Sequence, residues 1–134
     1  MVRLEIAAIY AGLNILLLLA LSVRVMLLRR AKRVSLGDGG DPELRRAMRA
    51  HGNAAEYIPA GLAGLILAAL LDPATPAWLL HASGGALTLG RFAHAIGLTL
   101  GDLNPGRPIG MTLTWAAFLM LGVGLIWAGL AQQL

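Results

Sequence analysis

Arg45, Arg49, Asn53 and Glu56 follow one another at intervals of four, four and three residues. On an α-helix, at about 100° per residue, those intervals gather all four side chains into a stripe about 80° wide. Farther along, Arg91 and His94 are one helical turn apart and share a face, and Arg107 opens the last apolar segment. A guanidinium suits a carboxylate, a carboxylate suits an ammonium, and an amide both donates and accepts. Brought together, these residues make a basic pocket with one central carboxylate, the recognition chemistry of a zwitterionic peptide. Arg49 and Glu56 lie about 10 Å apart along a helix axis, so even as a structural ion pair each needs a second partner.

Other chemistries find no support. The chain has no cysteine, which removes disulfides, thiolate metal sites and a cysteine nucleophile. Its serines, Ser22, Ser35 and Ser83, form no Ser-His-Asp arrangement, and no phosphate loop of the Walker type occurs. His51 falls on the other side of its helix from the stripe, it shares no ligand spacing with His94, and the nearby arginines oppose a cation, so no metal is expected. Asn14, inside the first apolar segment, is expected to hydrogen-bond between helices. Tyr10, Trp78, Trp115 and Trp127 read as packing or interface aromatics, and His81 as interfacial. Gly61 with Gly64, Gly84 with Gly85, and Gly122 with Gly124 are expected to permit close helix contact.

The elements that must position this pocket follow from composition. Of 134 residues, 57% are hydrophobic and 13% charged, with a mean hydropathy of +0.71. A soluble domain carries about a quarter charged residues, so lipid is the solvent this chain suits. The formal charge of +4 and a pI near 10.7 could serve a nucleic acid. However, Arg24, Arg29, Arg30, Lys32, Arg33, Arg45, Arg46 and Arg49 cluster between apolar segments, the pattern of a cytoplasmic loop, and Arg24, Arg29, Arg30, Lys32, Arg33 and Arg46 read as topology determinants and lipid-headgroup partners. No nucleic-acid partner is expected.

A helical span needs about 20 mostly apolar residues. Four are legible, at about 4–28, 42–71, 77–100 and 108–131, which predicts an all-α integral membrane four-helix bundle filling one domain, 1–134. The run SLGDGGDPE separates the first two, with Asp41 as N-cap and Pro42 at N1 of the second. Asp72 to Pro76 makes a tight second connection, and Gly101 to Pro108 is a third, rich in helix breakers. The first loop is strongly basic, the second has no Lys or Arg, and the third has Arg107. Loops one and three are therefore expected to face the cytoplasm, with both termini outside. The Ala-, Leu-, Gly- and Arg-rich composition points to a bacterial inner membrane.

The run RAMRAHGNAAEYIP, from Arg46 to Pro59, resembles the second-helix signature R-A-x-x-N-x-x-E-Y-x-P of the membrane-associated proteins in eicosanoid and glutathione metabolism (MAPEG). Arg49, Ala50, Asn53, Glu56, Tyr57 and Pro59 fall in register with it. GRFAHAIG, from Gly90 to Gly97, is similar to the third-helix signature, in which an arginine precedes a His or Tyr by one turn. The length, the four helices and the basic first loop extend the resemblance over essentially the whole chain, as a bacterial-type member.

That resemblance implies a homotrimer with glutathione bound as co-substrate between neighbouring subunits near the cytoplasmic side. It implies Arg49, Asn53, Glu56 and Tyr57 around the tripeptide, Glu56 at its α-amino group and Arg49 at a carboxylate. Arg45 is weighed as a further ligand contact against an interface anchor. His94 would complete the binding site, with Arg91 and Arg107 as catalytic candidates, Arg107 foremost for stabilising the thiolate. The implied activity is a glutathione transferase or peroxidase acting on lipophilic electrophiles or hydroperoxides that arrive from membrane lipid. A non-catalytic relative binding a lipid or partner protein is the alternative, and a small transporter is a third reading. The sequence departs from related eukaryotic members at His94 and Leu98, where tyrosines are frequent, and at Gly52, which is basic in some relatives.

Overall fold

The computed structural model describes residues 2–71, 74–101 and 104–131. Four helices carry them: α1 (Val2–Lys32), α2 (Pro42–Leu70), α3 (Ala77–Leu100) and α4 (Gly106–Ala131). Asp72 and Pro73 of the second connection, and Asp102 and Leu103 of the third, lie outside the described residues.

Local chemistry sets the ends that matter for the site. α1 continues to Lys32 and closes at Arg33, whose φ of 53° is left-handed. The Val34 N–H donates to the Arg29 carbonyl at 3.0 Å and the Arg33 N–H to the Arg30 carbonyl at 3.3 Å. That is the paired C-terminal cap in which glycine is the usual residue. α2 starts where the order Asp-Pro-Glu requires: Asp41 is the N-cap, its side chain accepting from the Leu44 N–H at 2.8 Å, and Pro42 follows at N1.

The helices alternate in direction, and two apolar clusters mark the two ends of the bundle. Ile6, Ala7, Leu65, Ala68, Ala69, Leu80 and Leu121 gather the start of α1 and α3 with the end of α2 and α4. Leu17, Leu21, Ala50, Ala54, Ile58, Ala95 and Leu98 gather the opposite end. α2 and α3 form the shared middle, each touching both α1 and α4, while α1 and α4 do not meet among the described residues. Between the clusters the Asn14 amide donates to the Thr88 hydroxyl and to the Tyr10 carbonyl, both at 2.8 Å, the interhelical bond its position predicted. Such a bond in a membrane protein contributes about 1 kcal/mol.

Three helices, α1, α2 and α4, are long and apolar enough to cross a membrane. α3 is as long as a span but carries His81, Arg91 and His94. The other three helices shield it, and its buried positions include Ser83, Thr88, Arg91 and His94.

Backbone comes closest to backbone between α3 and α4, at glycines other than the pairs that sequence spacing suggested for close helix contact. A Cβ on Gly110 would lie 2.5 Å from the Gly90 carbonyl oxygen and from the His94 nitrogen. One on Gly97 would lie 2.5 Å from the Arg107 nitrogen. Backbone thus rests on backbone over the half of the bundle that holds Arg91 and His94. Of the glycines expected to permit close helix contact, Gly61, Gly84 and Gly124 do so against the side chains of Leu87, Tyr10 and Leu79, Gly64 and Gly85 make looser contacts, and Gly122 faces open space. Periodicity finds small residues but cannot tell which of them oppose backbone.

Candidate functional site

Arg91 is the largest of the fully buried side chains, with 1% of its surface exposed. The close α3–α4 approach holds its guanidinium against polar groups of α4. Nε donates to the Thr114 hydroxyl at 2.9 Å and Nη2 to the Gly110 carbonyl at 3.3 Å, with the Met111 sulfur 3.4 Å away. From α2, the Asn53 side-chain oxygen accepts from Nη1 at 2.5 Å. The Tyr57 ring lies beneath the guanidinium, 5.0 Å from its carbon to the ring centroid. A cation over an aromatic face is stabilised electrostatically, more strongly when water is excluded. No carboxylate lies within ion-pairing distance of Arg91 among the described residues. Its neighbours there are neutral dipoles and an aromatic face.

One turn on from Arg91, His94 faces a cavity of about 370 Å³. His94, Asn104, Arg107, Pro108 and Met111 line it. Asn104 builds its floor by accepting the Gly106 N–H at 2.9 Å, which caps the start of α4 and aims that helix's positive end toward the cavity. The guanidinium groups of Arg91, Arg107 and Arg49 lie near enough to act electrostatically on the His94 ring. Arg107 lines the cavity itself, and a cationic lining of this kind suits a thiolate or carboxylate.

The sequence-predicted residues therefore divide into groups. Asn53, Tyr57 and Arg91 meet directly, and His94 and Arg107 share the adjoining cavity. Arg49 and Glu56 are exposed on the outer face of α2, with no partner among the described residues. Arg45 is drawn into the first loop, where its Nε meets the Asp38 carboxylate at 2.5 Å. Leu98 turns from the cavity into the apolar cluster with Leu17, Leu21 and Ile58.

Thr114, Gly110, Met111 and Asn104 were not singled out from sequence. The first three share a face of α4 with Arg107 at helical spacing. A threonine and a thioether in an apolar helix carry little signal until the buried guanidinium shows what they serve.

Comparison with known proteins agrees with this architecture. The family model described as the MAPEG family matches residues 7–127. The chain is similar to inner membrane protein YecN of Escherichia coli (strain K12), 38% identical over 122 residues that cover 91% of each chain. The protein of the same name from Escherichia coli O6:H1 matches with the same identity and coverage.

Proposed function

The chain belongs to the MAPEG family, and from that premise we propose that it is a membrane-embedded glutathione-dependent transferase or peroxidase for lipophilic electrophiles or hydroperoxides. The observation that carries this reading is the cavity lined by His94 and Arg107 beside the Arg91 cluster, which no carboxylate reaches among the described residues. A cation next to a thiol favours the ionised, nucleophilic form. Arg107 is the group we assign to the thiolate, because it lines the open cavity. The Arg91 donors are already directed at Thr114, Asn53 and Gly110, so Arg91 supplies charge from behind and positions Asn53. The sulfur then bonds to an electrophilic carbon as the leaving group departs. With a hydroperoxide it attacks the outer oxygen, the O–O bond breaks, and a second glutathione reduces the resulting sulfenic acid.

Binding of the tripeptide rests on Arg49 for a carboxylate, Glu56 for the α-amino group, and Asn53, Tyr57 and His94 around the backbone. Arg49 and Glu56 are exposed on a membrane-spanning helix, where an uncovered charge costs about 2.5–3.5 kcal/mol at the helix centre on insertion scales. A homotrimer packed through this α2 face, with the ligand between subunits, would cover both. We assign the protein to a bacterial inner membrane, loops one and three cytoplasmic and both termini outside, from the asymmetry of loop charge.

A non-catalytic family member, binding a lipid or protein in the same groove, is favoured by one observation: Leu98 is withdrawn into the core. The deciding experiment is a titration of the detergent-purified protein with glutathione, followed by the ultraviolet absorbance of the bound thiolate. We expect a saturable thiolate signal at neutral pH that Arg107→Ala abolishes and that Arg91→Ala weakens together with stability. Calorimetric binding without that signal would select the non-catalytic reading, and no binding would remove glutathione as the ligand.

A further inference from the structure

The cavity of His94 and Arg107 has a sulfur atom in its wall, in a chain that has no cysteine. Met111 follows Arg107 by one helical turn of α4 and lines the same space. Its sulfur lies 3.4 Å from Nη2 of the buried Arg91. A thioether is a weak acceptor, so this contact leaves the sulfur nucleophilic through its second lone pair.

Other methionines have these properties apart. Met48 accepts a guanidinium N–H, from Arg29 at 3.5 Å, between α1 and α2. Met120 lines a groove of about 790 Å³ beside Trp78, Leu79 and Trp127, with no cation in its wall. Met26 is 44% exposed on α1. Met111 joins a guanidinium on its sulfur to a place in a cavity wall that a second arginine, Arg107, shares.

We propose that Met111 is a modification site, oxidised to its sulfoxide by a hydroperoxide that enters this cavity, and that the sulfoxide weakens the site's hold on a thiolate. The proposal rests on the reading that hydroperoxides are substrates here. The sulfur lone pair attacks the outer oxygen, an S–O bond forms as the O–O bond breaks, and the hydroxyl proton passes to the departing alkoxide. The products are an alcohol and methionine sulfoxide, and the electron pair that sulfur gives up is the one that reduces the peroxide. Arg107 supplies positive charge where the alkoxide develops. Methionine is unbranched and flexible, so the new S–O dipole can turn toward Nη2 of Arg91, for which it is a better acceptor than a thioether. Negative charge drawn onto Arg91 lessens its field at a bound thiolate, and the site is turned down when peroxide outruns glutathione.

The test treats the full chain in detergent with cumene hydroperoxide, without glutathione, and follows oxygen uptake at each methionine by peptide mass spectrometry. Exposure alone would put Met26 first. Met111 is instead expected to lead, about fivefold ahead of Met26 and Met120. Arg107→Gln is expected to slow Met111 to their rate while leaving Met26 and Met120 unchanged, which also reports that the fold is kept. Met26 or Met120 ahead of Met111, or an unchanged Met111 rate in Arg107→Gln, would overturn the modification site. In calorimetry, oxidised wild type is expected to bind glutathione about fivefold more weakly than before treatment, whereas Met111→Leu, a volume-conserving change, should bind equally before and after. An equal loss in Met111→Leu would overturn the effect on the thiolate. Untreated protein that binds no glutathione would remove the proposed function alone, since the order of methionine oxidation is read without it.

Discussion

A guanidinium that is buried, and that no carboxylate reaches among the described residues, must be held by oriented dipoles, and at Arg91 each has an identified source. Removing the group leaves the Asn53 oxygen and the Thr114 hydroxyl without it in a closed space. Arg91→Ala is therefore expected to destabilise the protein by about 2–3 kcal/mol, read as a lower midpoint of thermal unfolding in detergent. Arg91→Lys keeps the charge but not the planar fork, and is expected to recover only part of that loss. The stripe of Arg49, Asn53 and Glu56 and the Arg91–His94 pair were legible because polar residues stand out in an apolar chain. Arg45 shared the stripe's angle yet went to Asp38, since helical phase says nothing about which loop folds back. Thr114 and Gly110 were illegible for the converse reason: their role exists only once α3 and α4 touch.

Among elements, the first loop and the α3–α4 seam respond to different perturbations. The Lys32 ammonium, and after it the Leu44 N–H, holds the Asp41 carboxyl below the usual carboxylate range, and the Arg45 guanidinium does the same for Asp38, helped by the Gly40 N–H. A depressed carboxylate contributes stability above its unfolded value, about 3.9, and loses it as pH falls through the lower folded value. The protection factor of the Leu44 amide against hydrogen exchange is thus expected to stay high down to about pH 4 and to fall below it. Asp41→Asn, which can still cap, is expected to remove most of that pH dependence. At the seam, Gly110→Ala sets a Cβ into the Gly90 carbonyl and the His94 nitrogen. It should separate the helices, lower the thermal midpoint and abolish ligand binding, whereas Gly122→Ala, facing open space, should leave both unchanged. The four-helix class was readable from length, hydropathy and breakers, because each is a local property. Which glycines make the seam is a pairwise property of two helices and left no trace in either one alone.

For the molecule as a whole, the exposed Arg49 and Glu56 are where the proposed assembly and the proposed ligand would meet. If a second copy covers the α2 face, sedimentation in detergent should report a trimer. Glu56→Leu, which replaces the exposed carboxylate with a lipid-compatible side chain, should weaken glutathione binding more than it weakens folding. A wild-type monomer that binds glutathione with full affinity would remove the intersubunit site while leaving the cavity of His94 and Arg107 in question on its own terms.

α3 lies between α2 and α4 and carries its charge on a face they shield, and this bears on how the chain enters the bilayer at all. A segment holding Arg91, His81 and His94 has little drive to partition into lipid alone, while α4 is among the strongly apolar helices. Biogenesis should therefore treat the last two helices as one hairpin, α3 committing only when α4 has emerged to cover it. Chains truncated after Leu100 and fused to a compartment reporter should leave α3 uninserted in a large fraction of molecules, and restoring α4 should rescue it. The seam glycines would then be a requirement of synthesis as much as of the finished fold.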